Sequence, residues 1–129
     1  MIKAELRRLV ISRAGNRCEY CRINQDALPF FRFHIEHVIA RQHDGPDEQE
    51  NLALACGHCN RHKGPNLSAL DPSSGRLVPL FNPRETVWLE HFDLEPAGEI
   101  AGLTDIGRAT VRLLRMNEPQ RTLLRGIQE

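Results

Sequence analysis

Two short cysteine pairs, Cys18 with Cys21 and Cys56 with Cys59, constrain this chain more than any other feature. Each CxxC presents two sulfurs from one tight turn, and four thiolates complete the tetrahedral shell of a structural zinc ion. All four cysteines are used and none is left over. A fold that satisfies them must bring the two turns to one point and close the residues between them into a loop. A redox-active CxxC would need one reactive pair beside a βαβ pattern, which is absent. A filled sulfur shell leaves no open position for chemistry, so catalysis has to come from other residues.

The chain of 129 residues reads as one small α+β unit with a modest core, in which a metal staple carries part of the stability. No apolar h-region follows the charged start and no apolar run can span a bilayer, so a soluble, cytoplasmic protein without membrane contact is expected. In a reducing compartment CxxC pairs are metal ligands rather than disulfides. The 17 basic and 17 acidic side chains cancel, which argues against a protein that coats nucleic acid through bulk charge. The ends are nevertheless basic. Residues 1–22 carry Lys3, Arg7, Arg8, Arg13, Arg17 and Arg22, and residues 106–125 carry five arginines. These charges fit either a basic face or two solvated helical faces.

Apolar spacing at Ile2, Leu6, Leu9 and Val10 predicts a helix over 2–14, ended by Gly15-Asn16. Residues 30–39 and 51–55 read as strands, 42–50 as a polar loop and 60–63 as a short helix ended by Gly64-Pro65. Further on, 71–75 is a turn, 77–81 an apolar stretch, and Trp88, Leu89 and Phe92 a packing patch. A helix is expected over 104–116 with Thr104 as its N-cap, carrying Arg108, Arg112 and Arg115 on one face. A last helix starts near Pro119. The organisation expected is a core over 1–66 and a mostly helical extension over 67–129 packed on it.

Between and around the cysteines lie Glu36, His37, Asn51, Asn60, His62 and Lys63. Neighbours in a strand point to opposite sides, so Glu36 and His37 meet at one site only where twist or a bulge turns them together. A carboxylate and an amide oxygen are hard ligands suited to Mg²⁺ or Mn²⁺. An imidazole suits a general base near neutral pH. Base and hard metal together suit hydrolysis of a phosphodiester.

The runs Phe33-His34-Ile35-Glu36-His37-Val38-Ile39-Ala40-Arg41, Glu50-Asn51-Leu52-Ala53-Leu54-Ala55-Cys56 and Cys59-Asn60-Arg61-His62-Lys63-Gly64 resemble the HNH endonucleases, in their zinc-bearing branch. The resemblance implies a ββα-metal core: two antiparallel strands, a loop and a helix around one divalent ion. It implies His37 as general base, Glu36 and Asn60 as ligands of a catalytic Mg²⁺ or Mn²⁺, and Asn51 as the residue that fixes the loop and orients the base. Cys18, Cys21, Cys56 and Cys59 would hold the structural Zn²⁺. Asn60 stands where many members carry His, and Ala40 where Pro is common. His34, His62, Lys63, Arg41 and Arg61 are candidates for contacts to substrate or metal, with Arg41, Arg61, Lys63 and the Arg108, Arg112, Arg115 face as phosphate contacts. His58 is expected to be a spectator inside its knuckle, His43 a polar turn residue and His91 a packing residue.

Two other readings compete. His34-Ile35-Glu36 with Cys56-Gly57-His58-Cys59 mimics a zinc-deaminase signature, but Ala55 stands where that signature needs Pro, and Cys18 and Cys21 go unexplained. A non-catalytic module could bind nucleic acid or protein, yet such a scaffold needs only the cysteines. The sequence therefore points to a metal-dependent hydrolase acting on DNA. Target specificity and oligomeric state are not encoded in any motif of the chain.

Overall fold

The computed structural model describes residues 2–127. Helix α1 (Ala4–Arg13) buries Val10 completely and packs Leu6 and Ile11 against the core, with Ile2 packed there just ahead of it. Gly15 and Asn16 both take left-handed backbone (φ 64° and 61°), which stops the helix where the sequence places its end. The first knuckle follows, closed by Cys18 N donating to the Ile23 carbonyl at 2.9 Å.

Strand β1 (His34–His37) pairs antiparallel with β2 (Leu52–Ala55), with Glu36 opposite Ala53 and His37 opposite Leu52. The strand expected over 30–39 is thus cut to four residues. Gln25 explains its late start. Its side-chain amide donates to the carbonyls of Leu28 (3.0 Å) and Phe31 (2.9 Å), and its Oε1 accepts from Phe33 N (2.7 Å). Backbone groups that a ladder would have paired are taken up locally, and Phe30 and Phe31 are left exposed. Strand β2 is buried throughout. Helix α2 (Gly57–Lys63) begins inside the second knuckle, where Cys56 Sγ accepts from Cys59 N. It is therefore longer than the 60–63 stretch read from sequence.

Two hairpins of three-residue strands follow, β3 (Ser68–Leu70) with β4 (Leu77–Pro79) and β5 (Phe92–Leu94) with β6 (Ile100–Gly102). Helix α3 (Trp88–His91) leads into β5. Helix α4 (Asp105–Leu113) starts as its sequence predicts, with the Thr104 side chain accepting from Gly107 N at 3.0 Å. Gly107 is required by packing, because a Cβ there would lie 2.1 Å from the His91 carbonyl oxygen. Helix α5 (Pro119–Ile127) closes the described chain. Among the described residues no helix is long and apolar enough to cross a membrane.

One hydrophobic cluster runs through both halves of the chain, from Val10, Tyr20 and Leu54 to Phe81, Trp88, Phe92 and Leu114. Polar contacts follow the same path. Trp88 Nε1 donates to the Tyr20 carbonyl at 2.8 Å, and Phe81 N donates to Thr110 Oγ1 at 2.9 Å. Arg84 forms an ion pair with Glu19, which in turn accepts from Leu54 N. His58 Nε2 bridges to the Leu114 and Arg115 carbonyls at 2.9 and 3.0 Å, and so joins α2 to the end of α4. His91 is buried against Phe81 and hydrogen-bonds Thr104. Leu89, expected in the packing patch with Trp88 and Phe92, is instead 67% exposed, because a single turn of helix can bury only one side. Trp88→Ala is expected to cost about 3–5 kcal/mol by removing a buried aromatic side chain, read as a shift in urea midpoint of the metal-loaded protein.

Candidate metal centre and hydrolytic site

The four cysteine Sγ atoms lie within 4.8 Å of one another and all four residues are buried. Sulfurs at ~2.3 Å from a tetrahedral ion stand about 3.8 Å apart, and Cys21 and Cys56 already stand at 3.6 Å. The cluster can therefore hold a metal such as zinc. Burial pushes the Cys18 thiol well above its ordinary range, and hydrogen bonding with the other three thiols does the same to Cys59. Burial also acts against the Cys21 thiolate, but hydrogen bonds from the other cysteines and the charge of Arg121 outweigh it and hold the thiol well below its ordinary range. Hydrogen bonding, chiefly from Cys18, lowers Cys56 as well.

Arg121 is a member of this centre that sequence reasoning missed. Its guanidinium donates to Cys56 Sγ at 2.9 Å and reaches Cys21 Sγ at 3.6 Å, and the residue is 7% exposed. A cluster of thiolates carries excess negative charge into a dry environment, and a buried guanidinium offsets it. The only local hint was that Arg121 and Arg125 share one face of an amphipathic last helix.

At the end of β1, Glu36 is buried while His37 is partly exposed. Glu36 is 6% exposed. Its Oε2 accepts from the Tyr20 hydroxyl at 2.7 Å, and Lys63 Nζ lies 2.7 Å from Oε1. That ammonium also donates to the Val38 carbonyl (2.8 Å), and its charge is the one polar contact of Oε1 among the described residues. Burial raises the Glu36 carboxyl above its usual range, with Lys63 and Tyr20 opposing it. Burial together with Glu36 pushes the Tyr20 hydroxyl well up, so it stays a donor. Lys63, expected as a phosphate contact, is 2% exposed and committed to this inner cluster. Asn60 lies half-buried on α2, one turn before Lys63 and on the same side of the helix.

His37 is partly exposed, and its Nε2 lies 2.6 Å from Asp47 Oδ1. Arg41, another candidate phosphate contact, forks onto the same carboxylate, Nε to Oδ1 at 3.1 Å and a terminal nitrogen to Oδ2 at 3.3 Å. Asn51 is buried and spends its whole amide on the loop between the strands. Oδ1 accepts from Ile39 N at 2.9 Å, and Nδ2 donates to the Ile39 and Pro46 carbonyls at 3.0 Å each. Gly45 lets the loop close this tightly, since a Cβ there would lie 1.7 Å from the Ile39 carbonyl oxygen.

Other candidates are scattered. His34 is exposed at the start of β1, beside Gly57. His62 hydrogen-bonds its own helix at the His58 carbonyl (2.8 Å) and packs on the His58 ring. Arg61 is exposed on α2. The arginine face of α4 is not uniform: Arg108 is locked to buried Asp71 by two 2.9 Å hydrogen bonds, while Arg112 and Arg115 remain exposed. The Asp71 carboxyl is held far below its usual range by Arg108.

A pair of antiparallel strands followed by a helix, bracketed by a four-sulfur centre, defines a small metal-binding α+β domain. Residues 18–66, which span both cysteine pairs, match the family model described as HNH endonuclease, and the match suggests a nuclease type of function for this segment. No curated protein and no solved structure gives a significant match. Arg121→Met is expected to weaken retention of Zn²⁺ by about tenfold or more while leaving four sulfur ligands, measured by transfer to a chromophoric chelator. Affinity should rise with pH in both proteins, because Cys18 and Cys59 must lose protons to bind.

Proposed function

We propose that this protein is a metal-dependent endonuclease that hydrolyses DNA phosphodiester bonds, with His37 as general base. Residues 1–66 form the nuclease core on this reading, residues 67–129 brace it, and the four cysteines hold a structural Zn²⁺. A cytoplasmic setting would keep the thiols reduced.

The observation that carries the proposal is Glu36. A buried carboxylate in the HNH-matching segment has one oxygen met only by the charge of Lys63 among the described residues. Such an atom suits a cation, and hard oxygens from Glu36 and Asn60 suit Mg²⁺ or Mn²⁺. When bound, that ion supplies charge neutralisation for the phosphate and its leaving oxygen. His37 accepts a proton from water; the water oxygen bonds to phosphorus as the bond from phosphorus to the leaving ester oxygen breaks, and the leaving oxygen takes a proton from solvent. General-base assistance of this kind is worth roughly 10²–10⁴ in rate. With Lys63 and Arg108 committed internally, backbone contacts fall to Arg61, Arg112 and Arg115, which would position DNA rather than read its sequence.

One observation favours the rival reading of a non-catalytic binding module: Lys63 already places a positive charge 2.7 Å from Glu36. Relaxation of supercoiled plasmid separates the two. The nuclease produces nicks with Mg²⁺ or Mn²⁺, none with EDTA, and at least about 10²-fold fewer with His37→Ala, which should keep its bound Zn²⁺ and its circular dichroism. Salt-sensitive DNA binding with no product on varied substrates would support the binding module instead.

A further inference from the structure

His37 does not stand alone. Its Nε2 is engaged at 2.6 Å by Asp47, a residue that belongs to the loop and not to either strand. The carboxylate is itself oriented. Arg41 grips both of its oxygens in a fork, a geometry that fixes the plane of the carboxylate as well as its position. The backbone on either side is equally determined. Pro46, the residue before Asp47, has its carbonyl held by Asn51 Nδ2, and Asn51 itself is tied to Ile39. Hydrogen bonds from His37 and Arg41 keep the Asp47 carboxyl below its ordinary range, so it is an ionised acceptor. An ionised acceptor at 2.6 Å requires Nε2 to carry the proton. Nδ1, which has no hydrogen bond among the described residues, is then left with its lone pair.

We propose that Asp47 is a positioning residue for His37: held by Arg41 and by the Asn51-closed loop, it fixes the Nε2–H tautomer and ring orientation so that Nδ1 is the nitrogen that accepts the proton from water. This rests on the nuclease reading of His37 given above. The chemistry is the nucleophile-activation logic of a base oriented by a third group. As Nδ1 gains its proton, the ring becomes an imidazolium whose Nε2–H still faces a carboxylate, and the charge is stabilised where it forms. Arg41 acts one step further out, by orienting Asp47.

Asp47→Asn is the informative substitution. An asparagine amide can donate to Nε2, which moves the ring proton to Nδ1 and blocks the base; in a triad, the equivalent change costs about 10⁴ in kcat. At this partly exposed site the expected loss in kcat is on the order of 10²-fold, with KM little changed. Asp47→Ala frees the ring and should give a smaller loss. Long-range ¹⁵N–¹H spectra of the zinc-loaded full chain, with His37→Gln to assign the signal, should show a single Nε2–H tautomer in the wild type. They should show the Nδ1–H form in Asp47→Asn and a mixture in Asp47→Ala. A wild-type ring with mixed tautomers overturns the proposal, as does an Asp47→Asn protein with unchanged kcat while His37→Ala is inactive. If the wild type cleaves no DNA, the nuclease reading fails and the catalytic role of Asp47 fails with it. The spectra then still decide whether Asp47 holds the ring.

Discussion

The meeting of the two CxxC turns is the constraint from which the rest of the molecule follows. It joins Cys21 to Cys56 across 35 residues of sequence. What lies between has to leave the first knuckle, run out along β1, turn, and return along β2 into the second knuckle at the head of α2. A loop this long costs little more to close than a short one, but the closure fixes the strand register that sets which side chains face inward. The same cluster reaches forward to the end of the chain. Its sulfurs concentrate negative charge in the core, and Arg121 comes from α5 to offset it. The C-terminal segment thereby contacts the cysteine cluster, and Trp88, Arg84 and His58 add further ties between the two halves.

The inner cluster of Glu36, Tyr20 and Lys63 poses an energetic question. A buried ion pair is poor value as a stabiliser, since replacing it with packed apolar side chains is often neutral or favourable by about 1–4 kcal/mol. Lys63 Nζ here divides its donors between Glu36 and the Val38 carbonyl. Stability alone gives no reason for a carboxylate at this point of β1. A requirement for charge does, and on the proposed reading that requirement is a divalent cation shared with Asn60. Lys63 then serves to keep the carboxylate ionised and placed when burial would favour its protonated form.

What the sequence made legible was what acts locally. The cysteine spacing forced the centre, Gly15-Asn16 ended α1, Thr104 capped α4, and Pro119 opened α5. Glu36, His37, Asn51 and Asn60 all lie in the segment that matches the HNH family model. The failures were long-range or side-chain driven. Gln25 intercepts the backbone of Leu28, Phe31 and Phe33, and nothing in the apolar pattern of 30–33 betrays it. The hairpin strands are three residues each, too short for a period to emerge. Arg121 and Arg108 looked like solvated helix charges until folding brought Cys56, 65 positions away, and Asp71, 37 positions away, to meet them. Lys63 sat in a motif where a phosphate contact was reasonable, but the third position after Asn60 on α2 faces the sheet.

The loop between β1 and β2 carries more of the proposed chemistry than its polar composition suggested. Asn51 satisfies three backbone groups of Ile39 and Pro46, and Gly45 permits an approach no other residue could make. Those contacts fix where Asp47 emerges, and Asp47 with Arg41 fixes the imidazole of His37. On the proposed reading Arg41 supports the base through Asp47. The placement of His37 depends on this loop at least as much as on its own strand, since β1 sets the direction of the side chain but leaves the ring free to turn. Changes that loosen the loop would reach His37 without touching it, and changes at the cysteines would reach it only by undoing the fold.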